Sequence, residues 1–365
     1  MVITFPHLGN AYLAAKALFD GLGLEYVIAP LNNKEGLEMG SLHSSEEMCM
    51  PYKIMIGNYL QAIEKGANTI ILPGSCGPCR FGQYCELQMN LMEGLGHDLD
   101  IIVIDYTKDI GLKELLKRLN KIWSRSSCNS PSKIRSILRA VKVINLIDEI
   151  EGKAHYISGY EKEKGESKRL LHLCKKEALD CHSPKEMIKL LNYYKEKINN
   201  IEVDKNKDPI KIAIIGEIYT IIEPFSNLYI EDKLMDYGVS TKRRMTLSWW
   251  IKNALLSPSK LNSLDIKKAS KEYLAHSIGG YARECIGEAV LAHEEGFDGA
   301  IQIFPMGCMP EIVSKSILPS VSKDKDFPIM SLVVDEMTGE AGYITRIEAF
   351  VDLLERRRDN VLFRY

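Results

Sequence analysis

Short apolar runs alternate with stretches of helical period at both ends of the chain, and that alternation admits one kind of architecture. Near the N-terminus, residues 2–5 form an apolar run. A loop holding Pro6, Gly9 and Asn10 leads into the helical stretch AYLAAKALFDGLG, and residues 26–29 supply a second apolar run. Further on, PYKIMIGNYLQAIEKG has helical spacing, ANTIILPGS reads as a strand ending in a turn, and DLDIIVIDY as a buried strand. Strands separated by crossover helices pair in parallel. Residues 1–106 are therefore expected to form a first α/β domain. After Tyr106 the pattern changes to lysine-rich helices such as LKELLKRLNKIWSR, the loop SSCNSPSK and two or three more helices, closed by the polar linker NNIEVDKNKDP. This makes residues 107–205 a helical insert and linker. From Ile210 the first theme returns in IKIAIIGEIYTIIEPFSNLYIEDKLMDYGVST, so residues 206–365 are expected to form a second α/β domain. The expected fold is α/β: two Rossmann-like parallel-sheet domains in pseudo-symmetric arrangement with a helical insert between them. A length of 365 residues, beyond the size at which one core usually stops growing, agrees with more than one domain.

The halves share more than element order. Cys49 heads a helix ending at Gly66, and the next strand closes on Pro73-Gly74-Ser75-Cys76. Cys285 heads a helix ending at Gly296, and the next strand closes on Pro305-Met306-Gly307-Cys308. In open parallel sheets ligands gather beyond the carboxyl ends of the strands. A helix N-terminus adds unpaired N–H groups and partial positive charge, which favour a thiolate and an anionic cluster. A single buried cysteine is ordinarily a small hydrophobe, but random burial does not explain matched placement in two repeats. The pattern points to a metal cluster.

Zinc is the competing metal, yet structural zinc favours two tight C-x-x-C pairs, and only Cys76 and Cys79 make one. Thiolates spread over two domains suit iron-sulfur better. A thioredoxin-like redox pair at Cys76 and Cys79 is a further alternative. Cys85 adds a third thiol within ten positions. Cys128, Cys174 and Cys181 fall in the insert. HLCKKEALDCH imitates a zinc site through His172 and His182, but its cysteines read as ordinary helix residues. His43 and His276 precede Cys49 and Cys285 and are candidate proton donors, although a solvated loop is the commoner setting for such histidines. Arg80, beside Cys79, is a candidate for neutralising cluster or substrate charge, or else pairs with a surface acid. Trp249 and Trp250 read as packing residues on a helix.

Forty-seven basic and forty-nine acidic residues leave a formal charge of −2, which gives no reason to expect nucleic acid or a membrane as partner. No window approaches the roughly 18 apolar residues of a membrane span, and the N-terminus lacks the pattern of a signal peptide. The expected location is cytoplasmic. Thiols there stay reduced, and nine cysteines, an odd number, sit badly with a disulfide framework.

The segments EEMCMPYKIMIGN, GSCGPCRFGQYCELQ, YARECIGEAV, FPMGCMPEIV and DEMTGEAGYITRIEAFVDLLE resemble the 2-hydroxyacyl-CoA dehydratase-related iron-sulfur proteins, in particular the CoA-enzyme-activase-related and double-cubane cluster groups. The resemblance spans both α/β halves. It implies two Rossmann-like domains, a cluster in the cleft between them and a separate ATP-hydrolysing iron-sulfur activase or reductase that supplies low-potential electrons. On this chain Cys49, Cys79, Cys285 and Cys308 fall on the motif cysteines, with Cys76 and Cys85 beside them. Six thiolates are what a bridged 8Fe-9S double cubane would take. A dehydratase subunit would use three for a single 4Fe-4S cluster, leaving one iron open to substrate.

The resemblance does not make this chain the nucleotide-binding component. Its only comparable strand-to-helix turn, IIGEIYTIIEP, lacks the glycines and lysine of a phosphate loop, so the nucleotide is expected on the partner. Three functions follow as alternatives. A reductase component would accept electrons and reduce a small molecule at the cluster. A 2-hydroxyacyl-CoA dehydratase subunit would act on an acyl-CoA and need a basic CoA cleft, for which Lys242, Arg243 and Arg244 are the one local cluster. A cluster carrier or electron-transfer module would have no substrate. The paired halves also suit a homodimer.

Overall fold

Parallel strands in two sheets carry the fold. The computed structural model describes residues 1–74, 79–104, 111–256 and 262–362. The chain divides into two units, residues 1–145 with 178–190 and residues 146–177 with 191–365.

The first unit holds β1 (Ile3–Thr4), β2 (Thr69–Pro73) and β3 (Asp100–Ile104) in the order β1-β2-β3, all parallel. The apolar run at residues 26–29, expected to be a strand, contributes a single parallel bridge between Tyr26 and Ile3. Ile3 N donates to Glu25 O and Val27 N to Ile3 O, and no further bridge from this run to β1 follows among the described residues. The helix Ala11–Leu22 buries Tyr12, Leu13, Ala17, Phe19 and Leu22 and stops at Gly23, whose φ of 64° takes the left-handed conformation that favours glycine at a helix end.

The helix Met50–Glu64 is buried on every side from Met50 to Ala62. It can be so because the helix Lys34–Leu42 lies directly against its backbone. A Cβ on Gly40 would fall 1.8 Å from the Lys53 carbonyl oxygen, and one on Gly57 would fall 1.9 Å from that of Gly36. Polar contacts fix the same helix to the loops beyond the carboxyl ends of the strands. His7 N donates to Asn58 Oδ1 at 3.0 Å, and Asn58 Nδ2 donates to Asn32 Oδ1 at 2.7 Å.

The second unit holds β4 (Lys211–Gly216), β5 (Ser240–Lys242), β6 (Gly299–Pro305) and β7 (Ile329–Val334) in the order β5-β4-β6-β7, again all parallel. Every residue of β6 is buried. Ile286, Ala289 and Val290 of the helix Ala282–Glu294 pack with Ala213, Ile215 and Ala300 of the sheet and with Leu318 and Val321 of the helix Met309–Asp324.

The lysine-rich region forms the helices Gly111–Trp123, Ser130–Ile157, Glu166–Asp180 and Pro184–Asn199. In the second unit one of them carries an ionic core. Glu151 accepts from Arg243 Nη2 at 2.7 Å and from Lys175 Nζ at 2.5 Å, while Glu231 pairs with Arg243 Nη1 and with His155 Nδ1 at 2.9 Å. No described helix is long and apolar enough to cross a membrane.

Candidate functional site

Three of the predicted cysteines occupy the same local position. Cys49 caps the N-terminus of the helix Met50–Glu64, Cys79 that of the short turn Arg80–Gln83, and Cys308 that of the helix Met309–Asp324. Each has extended backbone and makes no side-chain cap bond, which is the setting in which first-turn N–H groups face away from the helix. Proline follows in the first turn after both Cys49 and Cys308, where its missing N–H removes nothing from the helix. The tripeptide Cys-Met-Pro occurs at both places, at residues 49–51 and 308–310. By this repeated tripeptide Cys49 corresponds to Cys308, and not to Cys285 as the order of elements in the two halves suggests.

In the first unit, Tyr84 joins the cysteine segments. Its hydroxyl contacts Cys49 Sγ, and its buried ring meets Tyr52 and Phe81 edge-on, each with centroids 5.1 Å away. Cys85, the second residue of the helix Tyr84–Gly94, is half-buried. Burial, and then the charge of Cys85, push the Tyr59 hydroxyl well up. Arg80 Nη1 donates to the carbonyl of Glu47, and Lys53 Nζ lies 3.4 Å from that of Glu46. Two cations thus hold adjacent carbonyls just before Cys49, and Lys53, almost wholly buried, is one that sequence reasoning missed. Cys76 lies outside the described residues. His43 caps the C-terminus of the helix Lys34–Leu42 and is exposed.

In the second unit, Cys308 is buried between the exposed side chains of Met306 and Met309. Gly280, at φ 56°, lies against the Pro310 ring, where a Cβ would come within 2.4 Å of its Cγ. The loop carrying exposed His276 is thereby fixed near the start of the Cys308 helix. Cys285 is placed differently from Cys308. Its helix begins three residues earlier, at Ala282, and its side chain belongs to the unit's apolar core. Burial, reinforced by the adjacent Glu311 carboxyl, pushes its thiol well up. Glu311 accepts from Gln302 Nε2 at 2.9 Å and Ser314 Oγ at 2.8 Å, and burial pushes it up to about 7.

The remaining candidates have structural partners. Lys242 and Arg244 both pair with Glu295, and Arg243 lies in the ionic core, so these three cations are engaged within the second unit. Trp249 packs edge-on against Tyr281 at 6.0 Å. His172 pairs with Asp232 at 2.8 Å, and Cys174 and Cys181 are buried. At the IIGEIYTIIEP turn, the Glu217 carboxylate accepts from the Tyr219 and Thr220 amides, the donors a phosphate would need there.

Among the described residues, no group of three or more His, Cys, Asp or Glu side chains is disposed to hold a metal ion. The chemistry of the cysteines of the first unit nevertheless suits a thiolate-bound cluster: Cys49 and Cys79 lie at helix or turn starts, joined through Tyr84 and Arg80, with Cys85 on the adjoining helix. No curated protein matches the chain. A family model matches residues 7–243, well over half of the sequence, and the chain belongs to that family, the CoA enzyme activase uncharacterised domain (DUF2229).

Proposed function

We propose that this protein is an iron-sulfur component of a CoA-enzyme activation system, one that accepts low-potential electrons from an ATP-hydrolysing partner and passes them to a small molecule. The family description supplies the link to CoA enzymes and, through it, to an acyl-CoA dehydratase as the activated or related enzyme. The observation that carries the cluster reading is the recurrence of cysteine at three N-cap positions without a cap bond. N-caps are normally Ser, Thr, Asp or Asn, whose side chains close the helix end. A thiol there leaves first-turn amides to act on an anion. The ligands are drawn from Cys49, Cys76, Cys79, Cys85, Cys285 and Cys308.

A bound iron-sulfur cluster would supply one-electron transfer at low potential. The chain's own residues would tune it. Helix N-termini favour the thiolate form, while Arg80 and Lys53 hold the Cys49 loop and place positive charge beside it. The Rossmann-like, pseudo-symmetric arrangement belongs to the same reading. In the first unit the Tyr26 bridge, β1, β2 and β3 follow one another as β5, β4, β6 and β7 do in the second.

A dehydratase-type subunit with a single 4Fe-4S cluster is the second reading, and one observation favours it. Cys285 lies in an apolar core against Glu311, which leaves fewer thiols suited to ligation than a double cubane takes.

The test is iron and acid-labile sulfide per chain on protein purified without oxygen, with the electron paramagnetic resonance spectrum of the reduced form. About eight irons and nine sulfides support the double cubane, and about four of each support the single cluster. Cys49→Ser, Cys79→Ser and Cys308→Ser should each lower the iron content, whereas Cys174→Ser should not. Zinc, or no metal, would overturn the proposal.

A further inference from the structure

The helix Ser130–Ile157 has two faces of different character. Ser136, Ala140, Val143 and Ile144 are buried. On an adjoining face Ile134, Ile137, Leu138 and Val141 are 55%, 37%, 64% and 41% exposed. Their spacing of i, i+3, i+4 and i+7 places them in one stripe about 10 Å long, the pattern by which a helix presents apolar anchors to a partner. Four adjacent aliphatic side chains in water form a patch rather than scattered exposure.

The charges around this stripe are of one sign. From Lys121 to Ile147 the sequence holds six basic residues and no acidic one, in a chain whose total is −2. Arg135, Arg139 and Lys142 flank the stripe on the same helix, and none of them forms an ion pair among the described residues.

We propose that this face docks a protein partner that offers an apolar helix or ridge bordered by Asp and Glu. The sign of the flanking charge selects that occupant over a second copy of the chain. A twofold contact through this helix would set Arg135, Arg139 and Lys142 against their own equivalents, in a stretch from Lys121 to Ile147 that holds no Asp or Glu. It also favours protein over a lipid surface. The stripe has four aliphatic residues and none of the Trp or Phe that anchor interfacial helices, and Ser136, Ala140, Val143 and Ile144 of the same helix are buried in the protein. The inference does not depend on the cluster reading, since it concerns a surface with no cysteine on it.

The test uses the full chain and two synthetic amphipathic helical peptides with identical Leu and Ile positions, one flanked by Glu and the other by Lys. Fluorescence anisotropy should show the Glu peptide binding at least about tenfold more tightly than the Lys peptide, with an affinity that falls as salt rises. The exposed-site pair Ile134→Ser with Leu138→Ser should weaken it about tenfold. The charge reversal Arg135→Glu, Arg139→Glu and Lys142→Glu should exchange the preference between peptides. Circular dichroism of each variant confirms that it is folded. Equal binding of the two peptides, or of neither, would overturn the proposal. So would concentration-dependent dimerisation abolished by Leu138→Glu, which would assign the face to a second copy, or tight binding to phosphatidylserine vesicles with no peptide preference, which would assign it to lipid.

Discussion

Gly57→Ala should destabilise the first unit, although alanine is the better helix former. Contacts of a Cβ closer than 3.0 Å essentially never occur, and here the new atom would sit 1.9 Å from the Gly36 carbonyl oxygen and 2.5 Å from its carbon. The helix Lys34–Leu42 would have to withdraw by about 1.1 Å at the least. No rotamer can relieve the clash, because the obstruction is main chain. Overpacking of this kind costs up to about 3 kcal/mol, against which alanine's helix propensity returns about 1, leaving a net loss of about 2 kcal/mol. Gly152→Ala provides the contrast. It lies in the helix Ser130–Ile157 with nothing within 4 Å of the added carbon, so propensity alone should raise stability by up to about 1 kcal/mol. Urea unfolding followed by circular dichroism measures both. If Gly57→Ala unfolds at the same urea concentration as the parent protein, or later, the close approach of the two helices does not constrain the fold and the reasoning fails. The consequence extends to the site, since the displaced pair includes the helix that Cys49 caps.

Arg243→Met should cost about 3–5 kcal/mol at pH 7, because it leaves buried Glu151 and Glu231 without their guanidinium. Burial raises both carboxyls, but Lys175 and Arg243 hold Glu151 well below the usual range, and Arg243 and His155 hold Glu231 below it. Groups depressed in the folded state contribute stability above their unfolded pKa of about 4.3 and lose it as pH falls through the folded value, so the gap between Arg243→Met and the parent should narrow as acid unfolding is followed below pH 4. Glu217→Ala, which frees the Tyr219 and Thr220 amides, should lower stability by about 1 kcal/mol in the same urea assay. Arg80→Gln should speed amide hydrogen exchange across residues 44–49 by releasing the Glu47 carbonyl, and unchanged exchange there would show that Arg80 does not brace the loop.

What could be read without coordinates was local. The two α/β segments were visible because β2, β3 and β4 each hold a run of consecutive apolar residues and β6 one broken only by Gln302. Cys49 heads a helix as its sequence suggests, and Cys308, read as the close of a strand turn, also heads one; the proline within two positions of each is the N-terminal signal they share. Cys285 offered no such signal: its helix starts at Ala282 behind Tyr281, whose side chain makes no cap bond, and nothing in YARECIGEAV marks that boundary. The residues at 26–29 have strand composition, but composition does not say how far a ladder runs, and the single bridge from Tyr26 to Ile3 forms.

Partners distant in sequence were the part that spacing could not supply, and the run Lys242-Arg243-Arg244 shows why. Read alone it is a basic patch available to an acyl-CoA. In the structure, Arg243 is neutralised by Glu151 and Glu231, 92 and 12 residues away, and Arg244 by Glu295, 51 residues away. A cation on the page becomes a binding group only if the fold leaves it unmatched, because a buried, paired guanidinium offers little field to a ligand. The same argument gives Arg135, Arg139 and Lys142 their weight: they are basic, on an exposed helical face, and no carboxylate elsewhere in the described chain answers them.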